Sequence, residues 1–271
     1  MHPLVGPEAL REGVVLLDAR PAAAYARGHL PGAHLADPDR DLAAPAPHPE
    51  RGGRHPLPAP AEFARTLGRW GITPDSRVVI YDDQGGANAA ARAWWMLRSA
   101  GHRHVAVLDG GMQAAGLPLE TTPAEAASAA PYPMDVWRLP TVDIDAVDRL
   151  RVAPDAVVLD VRAAFRYRGE GEPIDPVAGH IPGARNLPYT ENLGTDGRFL
   201  PADALRARYL ELLGTVPPAR LAVHCGSGIT ACHTLLALEI AGLSGASLYV
   251  GSWGEWCRSE RPRAVGERAH G

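Results

Sequence analysis

The chain has 271 residues, enough for one large domain or two of ordinary size, and either would bury a substantial core. Its 27 Lys plus Arg against 31 Asp plus Glu leave it slightly acidic, with no basic stripe to neutralise a phosphate backbone, so nucleic acid is not an expected partner. No run approaches the roughly 18 apolar residues of a membrane helix, and three cysteines without a CxxC pair suit neither a disulfide framework nor a zinc knuckle.

The N-terminus, MHPLVGPEALREG, has no apolar core behind a basic segment, which points to a protein that is not exported. The next stretch, VVLLDAR (14–20), has the β-branched run of a buried strand and is followed by GHLPGAH (28–34). AEFARTLGRWG (61–71) has helical spacing, RVVIYDD (77–83) reads as a strand, NAAARAWWMLRSAG (88–101) as a helix, and VLDGGMQAAG (107–116) closes the series. Residues 117–140, LPLETTPAEAASAAPYPMDVWRLP, are rich in Pro, Ala and Thr without periodicity and read as a linker.

The series then repeats at a period of about 142 residues, as a duplicated domain does. VVLDVR (157–162) answers VVLLDAR, GHIPGAR (179–185) answers GHLPGAH, RLAVHCG (220–226) answers RVVIYDD, and LYVGSWGEW (248–256) answers VLDGGMQAAG. Strands alternating with helices argue for mainly parallel sheets flanked by helices, with functional groups beyond the carboxyl ends of the strands. The expected division is residues 1–122, a linker at 123–138, and residues 139–271.

Duplication supplies an internal control. Asp18 with Arg20, and His29, recur as Asp160 with Arg162, and His180, so these read as scaffold. The thiol of Cys225 does not recur: Asp82 stands in its place. Ala24 and Ala26 likewise stand where the second half has Arg166 and Arg168.

Cys225 follows a strand and precedes a helix expected to begin near Thr230. A loop CGSGIT there can turn its backbone N–H groups onto the sulfur, and the helix adds the positive end of its dipole. Such surroundings lower a cysteine pKa and expose a thiolate. The competing reading is a small buried hydrophobe, which we retain for Cys232 and Cys257. His224 and His233 lack a convincing third metal ligand, so no metal and no cofactor are expected.

The motifs GHLPGA, GHIPGA, DVRAAFRYRGE, HCGSGITACH and GSWGEW together resemble the tandem-domain rhodanese and 3-mercaptopyruvate sulfurtransferase family over nearly the whole chain. The resemblance implies two tandem rhodanese-like α/β domains, with the catalytic cysteine in the second domain and sulfur carried as a persulfide on Cys225. It marks Gly226, Ser227, Gly228, Ile229 and Thr230 as the substrate loop, close to the Cys-Gly-Ser-Gly-Val-Thr of members preferring 3-mercaptopyruvate. It also marks Arg166 as the group that holds the donor carboxylate. A second arginine found in some members is not evident in GEGEPIDPVAGH. Ser227 with His55 (in HPLPAPAEF) and Asp39 (in HLADPDRDL) is the implied proton relay, the competing reading of His55 being an exposed loop histidine.

The expectation is therefore a cytoplasmic enzyme taking sulfur from a small-molecule donor, 3-mercaptopyruvate, and passing it to a thiol, cyanide or a thioredoxin-like protein. Thiosulfate is the alternative donor, and a persulfide carrier or binding module without turnover is the non-enzymatic alternative. A cysteine phosphatase needs an arginine six residues after the nucleophile, where this chain has Ala231.

Overall fold

The computed structural model describes residues 1–87, 89–125 and 129–267; residues 126–128 of the expected linker and 268–271 of the expected second domain lie outside the described residues, as does Asn88 of the first. The chain forms two compact units. The first comprises Met1–Pro45, Leu57–Leu139 and Gly194–Phe199, the second Ala46–Pro56, Pro140–Leu193 and Leu200–Gly271.

In the first unit the elements run β1 (Leu4–Val5), β2 (Val14–Asp18), α1 (Ala22–Arg27), β3 (His34–Leu35), α2 (Pro60–Arg69), β4 (Arg77–Tyr81), α3 (Ala90–Ser99), β5 (Val105–Leu108) and α4 (Gly111–Ala114). They build a parallel sheet of order β1-β5-β4-β2-β3. Strands covered on both faces need continuous apolar runs, and β4 and β5 supply them: Val78 to Tyr81 and Val105 to Leu108 are all buried. Pro60 opens α2, where its missing N–H costs nothing, and Phe63, Ala64 and Leu67 form the buried stripe of that helix. The tail of the expected linker packs on this unit: the Trp137 ring lies 5.2 Å from Phe63 and 6.3 Å from Trp95.

The second unit repeats the plan with β6 (Thr141–Val142), α5 (Ile144–Leu150), β7 (Val157–Asp160), α6 (Ala164–Tyr167), β8 (Arg185–Asn186), α7 (Ala202–Leu213), β9 (Leu221–His224), α8 (Ala231–Ile240), β10 (Ser247–Tyr249) and α9 (Ser252–Trp256). Its parallel sheet, β6-β10-β9-β7-β8, has the same order element for element. Asp143 caps α5 by accepting the Ala146 N–H at 2.8 Å. The helix α8 is apolar nearly all round and buried from Ala231 to Leu238.

The strand order reverses between β2 and β4, and again between β7 and β9, so each unit has its crevice at the carboxyl ends of that pair. Cys225 follows β9 and Asp82 follows β4. The recurrent scaffold residues hold the neighbouring strands in the same way in both units. Arg20 Nη2 donates to Asp18 at 2.6 Å and to Gly28 O at 2.7 Å; Arg162 Nη2 donates to Asp160 and Gly179 O at the same distances. Tyr25 stacks on His29 at 3.7 Å and Tyr167 on His180 at 3.8 Å. Each tyrosine also donates at 2.7 Å to the carbonyl of the alanine ending its GHxPGA motif, Ala33 or Ala184.

Candidate functional site

The loop after β9 turns its amides onto the sulfur. Cys225 is 2% exposed, and its Sγ accepts the N–H of Gly228 at 3.1 Å and of Ser227 at 3.5 Å. The loop carbonyls point the other way because α9 receives them: Trp253 N donates to Cys225 O at 3.0 Å and Gly254 N to Gly226 O at 2.9 Å. Ser252 Oγ accepts the Cys225 N–H at 3.2 Å while donating to Tyr249 O. Gly228 sits at φ +79°, and a Cβ there would lie 2.6 Å from Val250 O, so only glycine allows the turn that aims its N–H at the sulfur. Such a nest of amides stabilises a sulfur-centred anion.

Two guanidinium groups border this loop at Gly226. A Cβ on Gly226 would lie 3.0 Å from Arg54 Nη2 and 3.4 Å from Arg166 Nη2, so glycine leaves the space that brings both cations to the loop. Arg166 reaches it from α6, held by Glu172 through Nε at 3.1 Å and Nη2 at 2.6 Å. Arg168, the other cation peculiar to the second half, instead pairs with Glu170 on the exposed side. Glu172 and Asp175 come from GEGEPIDPVAGH, so the segment without a second arginine supplies two buried carboxylates.

Arg54 had no place among the sequence candidates. It arrives on the 46–56 segment, which precedes α2 in the chain but packs within the second unit. Three features fasten this segment: Gly52 N donates to Glu255 Oε1 at 2.7 Å, Arg54 Nε donates to Asp175 at 3.1 Å, and Gly53 passes Gly251 so closely that a Cβ would lie 2.4 Å from the Gly251 carbonyl oxygen. The available signal was a basic residue directly after a Gly-Gly pair and directly before His55. The cations of this site thus come from segments remote in sequence, although the CGSGIT loop itself carries none.

Of the residues expected at the site, Cys225, Gly226, Ser227, Gly228 and Arg166 are brought together, with Ile229 and Thr230 leading into α8. His55 is half-buried beside Arg54 in the second unit. Asp39 is exposed in the first unit, where its N–H donates to Asp37 at 3.0 Å. His224 and His233 are both buried; Nδ1 of His224 faces Cys225 O at 3.1 Å, and that of His233 faces Asn192 Nδ2 at 3.3 Å. Burial pushes the Cys257 thiol up, as befits a packing residue, and Cys232 Sγ points to Gly228 O at 3.4 Å.

A model of the rhodanese-like domain matches residues 8–115 and again 143–259, one match for each half of the duplication. The chain belongs to the rhodanese-like domain family. Its rhodanese relatives include a probable 3-mercaptopyruvate sulfurtransferase of Pseudomonas aeruginosa, 48% identical over 257 residues, 91% of this chain and 87% of that one. A putative thiosulfate sulfurtransferase of Mycobacterium tuberculosis is 42% identical over 254 residues, 90% of this chain and 85% of that one. Among solved structures, a 3-mercaptopyruvate sulfurtransferase from Leishmania major matches with a TM-score of 0.82 and 31% identity, over 96% of this chain and 75% of that one. No helix among the described residues is long and apolar enough to cross a membrane.

Proposed function

We propose that this rhodanese-family chain transfers sulfur from 3-mercaptopyruvate to a thiol acceptor through a persulfide on Cys225. The observation that carries this reading is the convergence of two guanidinium groups, Arg54 and Arg166, on the loop whose amides face the Cys225 sulfur. Two forked donors suit a planar carboxylate, and the donor sulfur then falls near the nucleophile.

The Cys225 thiolate attacks the sulfur of 3-mercaptopyruvate. The carbon–sulfur bond breaks with its electron pair passing into the enolate of pyruvate, the donor's thiol proton ends on that carbon, and pyruvate leaves the persulfide anion behind. The Ser227 and Gly228 amides stabilise the sulfur anion before and after the step. Ser227 and His55 are the proposed route for the proton, and Ile229 and Thr230 the proposed wall of the donor pocket. A second thiol, a thioredoxin-like protein or cyanide then removes the outer sulfur.

Mass spectrometry after 3-mercaptopyruvate treatment should show one added sulfur on Cys225, absent in Cys225→Ser; an unchanged adduct in that variant sinks the assignment. Arg54→Ala and Arg166→Ala should each raise the KM for this donor by about 10- to 100-fold, the worth of a charge-assisted hydrogen bond. Thiosulfate is the second reading, favoured by the cations at Gly226, and side-by-side kcat/KM values for the two donors decide between them.

A further inference from the structure

Neither guanidinium group at Gly226 stands as a free cation. Arg54 is clamped side-on by Asp175, through Nε at 3.1 Å and Nη2 at 3.4 Å, as Arg166 is clamped by Glu172. Arg166 Nη2 also lies 3.7 Å from Asp175, and Arg258 Nη1 donates to the same carboxylate at 2.9 Å. The Asp175 side chain is fully buried and that of Glu172 is 3% exposed, while the Arg54, Arg166 and Arg258 side chains are 23%, 14% and 21% exposed, so solvent screens these contacts only in part. Asp175 therefore gathers three guanidinium groups, two of which border the nucleophile's loop.

A guanidinium held along one edge keeps N–H donors on its other edge, with their direction fixed. What the clamp removes is net charge. A planar carboxylate recognised by paired hydrogen bonds loses little by this, whereas a compact dianion depends on uncompensated positive charge beside the thiolate. Each unit of added positive charge attracts a dianion twice as strongly as a monoanion at the same distance.

We propose that Asp175 is a specificity-determining residue that tunes Arg54 and Arg166 to a monoanionic carboxylate donor and against a dianionic one; this rests on the sulfur-transfer reading above. Asp175 does not meet the reacting atoms. It acts by positioning the arginines and by neutralising them.

The test compares second-order rates of Cys225 persulfide formation with 3-mercaptopyruvate and with thiosulfate. In Asp175→Asn the ratio of thiosulfate to 3-mercaptopyruvate rates should rise about tenfold, a Coulombic effect that shrinks at high salt. Arg258→Gln, which removes a cation from the same carboxylate, should lower the ratio by about threefold. A structural defect alone would slow both donors equally, and an Asp175→Asn protein that does so overturns the proposal. If circular dichroism shows that Asp175→Asn does not fold, Arg258→Gln decides alone, and an unchanged or raised ratio overturns it. Wild-type Cys225 that takes no sulfur from 3-mercaptopyruvate sinks the sulfur-transfer reading itself; wild-type labelling with unshifted variant ratios sinks only the role of Asp175.

Discussion

The loops after β4 and β9 occupy the same place in the two units and solve the same problem with different atoms. After β9, the Cys225 sulfur accepts the N–H groups of Ser227 and Gly228. After β4, the Asp82 side chain accepts those of Gln84 at 2.9 Å, Gly86 at 2.8 Å and Ala90 at 3.1 Å. Both acceptors are buried. The fold therefore builds inward-facing amides at this strand end whether or not chemistry takes place there. In the first unit a carboxyl group satisfies them, and in the second a thiol does. The two halves thus share one structural requirement and meet it with different side chains.

Exchanging the acceptors breaks the comparison most sharply. Cys225→Asp should place a carboxylate in the second nest and abolish sulfur uptake, lowering turnover by at least about 10³-fold, as loss of a nucleophile does. The same protein should retain a cooperative thermal transition, because the amides keep an acceptor; collapse of the second unit would show that the loops are not equivalent. The next effect is one of stability. Asp82→Ala leaves three N–H groups without their acceptor, those of Gly86 and Ala90 buried, and should cost about 2–4 kcal/mol, read from urea unfolding. A cost near zero would mean that the first loop does not need the acceptor.

Much of this was legible before any coordinates. The repeat exposed the two units, because short motifs recur in the same order, and it singled out Cys225 as the strand-end residue that the first half replaces with Asp82. The pairing of Asp160 with Arg162 followed from recurrence alone. Arg54 was not legible, since its role depends on the 46–56 segment packing within the second unit, through Gly52 and Glu255 at a separation of 203 residues and Arg54 and Asp175 at 121. Local patterning says nothing about such pairings. The roles of Glu172 and Asp175 were hidden for a related reason: acidic residues in a Gly- and Pro-rich loop look like solvated surface until the guanidinium groups that bury them are known.

The smallest expected effect concerns the last strand residue before each acceptor. In the first unit Tyr81 donates to Asp18 at 2.8 Å and accepts the Leu30 N–H at 2.9 Å, so the buried carboxylate has a neutral partner that does not titrate near neutrality. In the second unit His224 takes that place, with Nε2 at 3.8 Å from Asp160. Burial lowers the His224 pKa despite the attraction of Asp160, so the folded protein holds this imidazole neutral while the unfolded chain protonates it at the ordinary value of about 6.5. Below that pH the unfolded state binds more protons, and stability falls as pH falls. His224→Tyr removes this one titration and copies the first unit. The acid-side loss of stability in wild type should therefore exceed that of the variant by up to about 1.4 kcal/mol per pH unit below pH 6.5, the limit for a single group. Urea unfolding of both proteins between neutral and mildly acidic pH checks it. Parallel pH profiles would mean that His224 takes up its proton as readily in the folded protein as in the unfolded chain, and that the exchange of tyrosine for histidine carries no electrostatic consequence.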